Sequence, residues 1–405
     1  MRTISRGAWL AAALTLLALS SCSAPGAGAA RPAPLREARC ELGDSVGAPG
    51  DPPGIVVAHR PAASGQYLGS PSLLAASDGT LYVSHDVFGP RRPEPRQTHV
   101  YASQDGGRSW VARAVVEGQF WSSLFEHQSA LYLLGTETGL GAVVIRRSRD
   151  GGATWTDPAS EETGRLLREG RHHTAPMPVV LHEGRLWASF EELLPPFAWP
   201  RSLSPYLLSV DADADLLDAT AWQRSVAISF PDEGPGEGWL ETQPVITPGG
   251  GVRLLSRVDV RGEHERMAVL GWDGERLQVL GFPRFAGGSK KFTVRWDPST
   301  RRYWTLVNEV EEEPVRLPAA VRNRLTLVSS RDLESWSSHA VLLSHEDVDH
   351  TGFQYADLAL VGEDLVFVSR TAYPEVSGPA NDYHNSNYIT FHRLARYAEC
   401  AARAR

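Results

Sequence analysis

The stretches SQDGGRSW at 103–110 and SRDGGATW at 148–155 place a serine, an aspartate, a glycine pair and a tryptophan at identical offsets, about one supersecondary unit apart. The carboxylates of Asp105 and Asp150 are short enough to accept hydrogen bonds from backbone N–H groups a few residues on, and Gly107 and Gly152 take positive φ without a Cβ clash. Trp110 and Trp155 supply large rings to pack beneath the loop. Each stretch therefore reads as a hairpin turn stapled by its own side chains. Two such turns in register predict a repeated antiparallel unit.

Extending the repeat gives units of four strands: an apolar strand, a DG-like turn, two more strands joined by a polar loop, the tryptophan box, and a last strand. The first unit reads PSLLAASDGTLYVSHD (71–86) with THVYASQDGGRSW (98–110), and the second SSLFEHQSALYLLGT (122–136) with AVVIRRSRDGGATW (142–155). MPVVLHEGRLWASFEE (177–192) leads to a stretched box, SVDADADLLDATAW (209–222), and QPVITPGGGVRLLSRVD (243–259) to MAVLGWDGERLQVL (267–280), where the box tryptophan is lost. KFTVRWDPSTRRYWTLVN (291–308) pairs with LTLVSSRDLESW (325–336), one residue short between Asp332 and Trp336. The last unit, YADLALVGEDLVFVSRTAY (355–373) with NYITFHRL (387–394), lacks a fourth strand, which GIVVAHR at 54–60 can supply. The expected fold is all-β: a six-bladed β-propeller of four-stranded antiparallel blades over residues 51–400, closed by an N-terminal strand, with a tail at 401–405.

Composition agrees, since 37 glycines and 28 prolines in 405 residues punctuate the chain too often for long helices. A formal charge of −8 argues against a nucleic-acid partner, because phosphate binding needs a basic face. Arg2 and Arg6, an apolar run from Ala8 to Leu19, and LSSC at 19–22 form an export signal. The LSSC box resembles a bacterial lipoprotein cleavage site. That resemblance implies a signal peptide over 1–21, lipidation of Cys22, a flexible Ala/Gly/Pro tether over 22–50, and a membrane-anchored protein at the bacterial cell envelope; an ordinary secretory signal is the alternative. Cys40 and Cys400 are the remaining cysteines, and in an oxidising compartment a bridge between them would tie the chain ends together.

The tryptophan boxes and the six-unit count resemble the sialidase superfamily, whose members are six-bladed propellers carrying Asp-boxes on the face opposite the active site. The boxes then hold blades together, and chemistry belongs on the other face, where each first strand starts and each second strand ends. The resemblance implies an arginine triad for a substrate carboxylate, a tyrosine nucleophile activated by a glutamate, and an aspartate acid/base. Matched onto this chain, Tyr355 is the nucleophile, Glu241 its base, Asp86 the acid, and Arg257 and Arg322 the second and third arginines. The family's Arg-Ile-Pro motif is replaced by Gly69-Ser70-Pro71, and Arg370 is the substitute arginine. A neutral tyrosine suits an anionic sugar, which would repel a carboxylate nucleophile.

The same rim gathers His85, Trp121, His173, Glu191, Lys291, Gln354, Asp357 and Tyr373 as substrate-binding candidates. The resulting expectation is an exported sialidase-like glycoside hydrolase, monomeric, acting on glycan termini without cofactor or metal. Three alternatives stay open: a propeller enzyme for a different glycan, a metal-dependent deacetylase using His85, Asp86, His172, His173, His350 and His384, and a non-catalytic glycan-binding lipoprotein.

Overall fold

The computed structural model describes residues 40, 42, 51–311 and 317–403; the signal segment 1–21, Cys22 and most of the tether expected over 22–50 lie outside the described residues. The fold is an all-β propeller. Its strands form antiparallel sheets that follow one another in chain order, with the innermost strands of neighbouring sheets in contact: Ser72–Ala75 touches Phe120–His127 and Gly352–Val361, and Val180–His182 touches Trp239–Ile246.

The first sheet orders Tyr67–Leu68 and Ser72–Ala75 on one side of Leu81–Phe88, followed by Gln97–Ser103 and Val111–Glu117. Two further four-stranded sheets run from Trp239–Ile246 to Leu277–Gly281 and from Arg295–Asp297 to Trp336–Ser344. The last sheet pairs Gly352–Val361, Asp364–Ala372 and Tyr388–Leu394 with Ile55–His59, so the N-terminal strand closes the structure as its outermost member. The second and third repeats share one eight-stranded sheet. The sharing is done by a single strand, Arg165–His173. Its first residues pair with Gly141–Ser148, while His172 and His173 pair with Glu192 and Glu191 of the next unit.

The boxes are built as the sequence predicts. In the first, Ser103 donates to Asp105, the Gly107 N–H donates to the Ser103 hydroxyl, Ser109 gives Asp105 both its N–H and its hydroxyl, and Trp110 donates to the Gly107 carbonyl. The second repeats the pattern with Ser148, Asp150, Gly152, Thr154 and Trp155. Both tryptophans are half-buried. Trp110 packs on Phe391 of the last sheet, its ring 5.3 Å away, so the box also fastens neighbouring sheets. In the short box at 330–336, Leu333 replaces the glycine at φ 67° and is held by burial of its side chain.

Cys40 and Cys400 form a disulfide with Cα atoms 5.6 Å apart, 360 residues distant in sequence. Cys400 sits on a short helix, Ala398–Arg403, where the sequence reading placed only the end of the propeller and a tail. The bridge packs with Leu42 and Tyr397 against the core shared by the fifth and sixth repeats.

Candidate active site

The innermost strands of five repeats break at the same place. In the second repeat Phe120 faces Thr136 and Ser123 faces Leu134, so three steps on one strand match two on the other. The same extra residue separates Leu240 and Gln243 against Arg257 and Leu255, and Gln354 and Asp357 against Arg370 and Val368. These are β-bulges, which re-aim side chains locally. The bulged residues Trp121, Glu241 and Tyr355 take φ of 50°, 59° and 52°. For residues with a Cβ that conformation costs on the order of 1–3 kcal/mol and persists only where surroundings enforce it. In the first sheet the break is Gly69-Ser70-Pro71, and in the third repeat it is the segment between His173 and Val180.

The breaks open onto one cavity of about 610 Å³, lined by Ser70, Trp121, His173, Glu241, Tyr355, Arg257, Arg322 and Arg370 among others. At its floor the Tyr355 hydroxyl donates to Glu241 Oε1 at 2.7 Å, and Arg257 Nη1 donates to Glu241 Oε2 at 3.0 Å. The guanidiniums of Arg370 and Arg322 lie 4.8 and 5.5 Å from the centre of the Tyr355 ring. Burial alone would raise the Glu241 carboxyl, but the Arg257 charge and the Tyr355 hydrogen bond outweigh it and hold Glu241 below its ordinary value. Burial lowers Arg370 to about 10 and also lowers Arg322. Among the described lining residues there are five arginines, counting Arg92 and Arg96, and one carboxylate, Glu241. Arg92 and Arg96 are paired with Glu94 just outside the lining and Arg257 with Glu241, so the cavity is cationic chiefly through Arg322 and Arg370.

The sequence reading put several other residues at this rim, and the structure corrects it. Four of them pin the breaks from inside the wall. Asp86, 1% exposed, accepts the Thr98 hydroxyl and the N–H of Trp121, and burial raises its carboxyl to about 7. Glu191 accepts the Thr242 N–H beside Glu241 at 2.7 Å. Lys291, pushed down to about 8 by burial, donates to the Ala356 carbonyl beside Tyr355. Asp357 accepts the Leu73 N–H at 2.8 Å and an Arg295 N–H at 3.1 Å. Each bulge leaves backbone groups without a ladder partner, and a buried polar group must be satisfied, so the neighbouring sheet supplies a side chain.

Gln354 is turned into the wall, accepting from Arg322 and donating to the Tyr383 carbonyl. His85 stacks on His99 in the interior, where burial lowers it to about 3. Tyr373 packs against Phe353 and His345. None of these seven residues lines the cavity. Arg257 pairs with Glu241, and Arg370 donates to the His384 carbonyl. Of the histidines considered as metal ligands, His172 bonds Tyr206, and among the described residues no group of three His, Cys, Asp or Glu is arranged to hold an ion.

The cavity also contains residues the sequence reading missed, Phe88, Arg92, Arg96, Phe120, Leu140 and Trp199, and His384, which that reading offered only as a metal ligand. Trp199 is 52% exposed and makes an edge-to-face contact with His173 at 4.9 Å, and Trp121 makes another at 4.7 Å. An exposed Phe197-Ala198-Trp199 flanked by prolines was the available signal, because large apolar side chains on a loop need a reason to face solvent.

No protein-family model and no curated protein sequence matches this chain. Among solved structures, it is similar to an alpha-L-arabinanase of Penicillium chrysogenum complexed with arabinobiose, at 14% identity and a TM-score of 0.56 over 85% of this chain and 98% of that one. An alpha-L-arabinofuranosidase of Fusarium graminearum with an iminosugar inhibitor gives 12% identity and a TM-score of 0.56, covering 84% and 97%. A Trypanosoma rangeli sialidase in complex with sialic acid gives 13% identity and a TM-score of 0.54, covering 86% and 56%. At these identities the likeness is one of fold.

Proposed function

We propose that the protein is an exported glycoside hydrolase of the sialidase kind, removing a terminal acidic sugar with Tyr355 as nucleophile and Glu241 as its base. The observation that carries this reading is the 2.7 Å hydrogen bond from Tyr355 to Glu241 on the floor of a cationic cavity. A phenol has an ordinary pKa near 10 and attacks at neutral pH only if a neighbouring group takes its proton as the bond forms. Glu241, held ionised by Arg257, is placed to take it. Arg322 and Arg370 beside the ring stabilise negative charge developing on the phenolic oxygen.

Arg92 and Arg96 are ion-paired with Glu94 and Arg257 with Glu241, but Arg322 and Arg370 have no carboxylate partner among the described residues, which favours an anionic substrate. The Nε atoms of Arg257 and Arg370 are buried without a hydrogen-bond acceptor among the described residues. Arg92 and Arg96 line the same cavity as Ser70, where an arginine of the inner strand is missing. Trp121, Trp199 and Phe88 offer faces for the sugar ring. Reading the eight-stranded sheet as two blades divided within Arg165–His173 supports a count of six, and the charge and apolar order of residues 2–22 support export with a lipid anchor at Cys22.

A second reading, a neutral sugar such as a pentofuranose, draws on the commitment of Arg257 to Glu241 and of Arg322 to Gln354 and the Ala319 carbonyl, which occupies two of the three arginines. The products released from sialosides, uronosides and arabinofuranosides, with and without chelator, decide between them. Chelator-insensitive release of free sialic acid supports the acidic-sugar hydrolase. Release of arabinose alone supports the second reading, and chelator-sensitive release of acetate contradicts both.

A further inference from the structure

Glu241 is the only carboxylate among the described lining residues, and the Tyr355 mechanism uses it as a base. Hydrolysis also needs a proton for the departing oxygen, and Asp86 is enclosed in the wall with both oxygens engaged. We propose, on the premise of the hydrolase reading above, that His173 is the proton donor to the leaving group and the base for water, oriented by Glu191.

His173 Nδ1 bonds Glu191 Oε2 at 2.8 Å, and Glu191 is 0% exposed. The other oxygen of Glu191 accepts the N–H of Thr242, directly after Glu241. One buried carboxylate thus fixes the imidazole relative to the nucleophile's base. With Nδ1 turned to Glu191, Nε2 is the nitrogen left for substrate, and it has no hydrogen-bond partner among the described residues. Trp121 and Trp199 both pack on the ring in edge-to-face contact, 4.7 and 4.9 Å away. A side chain held by a carboxylate at one nitrogen and packed by two aromatic rings is pre-organised for proton transfer at the other nitrogen.

The rival histidine in the cavity is His384. Burial and the charges of Arg370 and Arg322 lower it to about 2, so it is not an imidazolium at neutral pH, and its Nδ1 is engaged by Asn385. His173 instead has the Glu191 carboxylate at hydrogen-bond distance.

The step balances. The Tyr355 oxygen bonds to the anomeric carbon while its proton passes to Glu241; the bond from that carbon to the leaving oxygen breaks, and His173 Nε2 gives that oxygen a proton. In the second half, neutral His173 takes a proton from water, the water oxygen bonds to the anomeric carbon, and the phenolate leaves and regains its proton from Glu241.

The test compares His173→Gln with wild type on two sialosides, one with an activated aryl leaving group and one with an unactivated alkyl or sugar leaving group. Removing a proton donor lowers kcat/KM on the unactivated substrate by about 10²–10⁴-fold and on the aryl substrate far less. Azide, a nucleophile that needs no base, accelerates turnover of the aryl substrate by the variant and yields the glycosyl azide. Glu191→Gln, which keeps an acceptor for Thr242, shows the same leaving-group discrimination in weaker form if His173→Gln fails to fold. Equal losses on both substrates with no azide product, while wild type is active, overturn the assignment of His173 alone. Wild type that releases no sugar from either substrate overturns the hydrolase reading and this one with it.

Discussion

Glu241→Gln isolates the electrostatic centre of the site. Glu241 and Arg257 are 4% and 8% exposed and their charged atoms are 3.0 Å apart. At an effective dielectric of about 20 the pair attracts by roughly 5 kcal/mol. Glutamine keeps the shape and an oxygen to accept from Tyr355, so the change removes charge with little loss of packing. Arg257 is then left buried without its counter-charge, beside Arg322 and Arg370, and breaking such a pair costs about 3–5 kcal/mol. We expect Glu241→Gln to lower the unfolding free energy, obtained from the urea midpoint and slope, by an amount in that range. The added loss should be small when Arg257→Gln is already present, because the partner charge is gone. Equilibrium urea titration at pH 7, followed by tryptophan fluorescence, measures the single and double variants together. The buried position makes the effect weakly dependent on salt. A Glu241→Gln protein within about 0.5 kcal/mol of wild type, a loss typical of an exposed pair, would refute the buried, desolvated pair described above.

Trp110→Ala and Trp155→Ala are each expected to cost about 2–3 kcal/mol in thermal unfolding, below the 3–5 of a fully buried ring because both are half-exposed, and to leave turnover per folded molecule unchanged. Reduction of the Cys40–Cys400 bridge releases a very long loop, worth at most about 6 kcal/mol in the chain-entropy account, so reduced protein should melt lower, and the oxidised form should show no free thiol from these two residues. His392 is 1% exposed and burial lowers it to about 3. Because the folded value lies below the unfolded one, its contribution is present above about pH 6.5 and is lost as the pH falls toward 3. His392→Phe should therefore reduce the loss of stability between pH 7 and pH 4 by up to about 3 kcal/mol, read from denaturation midpoints at the two values.

The architecture was legible because its signals are local. A serine, an aspartate and a glycine at fixed offsets fold a turn whatever surrounds them, and the strand missing from the last repeat could be matched to Ile55–His59 by counting. The pair of Tyr355 and Glu241 was legible through the resemblance, since both stand near the start of an inner strand. The orientation of their neighbours was not. A strand alternates its side chains, and one inserted residue reverses the alternation beyond it. Bulges at Trp121, Glu241 and Tyr355 carry no glycine to announce them, so Asp86, Glu191, Lys291 and Asp357 read as rim residues when they are the struts of the wall. The short box at 330–336 had the same ambiguity, with a leucine at the position that prefers glycine. Arg92, Arg96 and Trp199 escaped for another reason: they reach the cavity from proline-rich loops, whose path no periodicity reports.

The central claim, that the Tyr355 oxygen forms a covalent bond to the sugar, is tested most directly by trapping. A sialoside with fluorine beside the anomeric carbon and a good leaving group slows hydrolysis of the intermediate more than its formation. After digestion, mass spectrometry should find the sugar on the peptide containing Tyr355, and Tyr355→Phe protein should be unlabelled. A label on Glu241 or another residue, or active enzyme that hydrolyses sialosides without ever being labelled at Tyr355, would contradict the account.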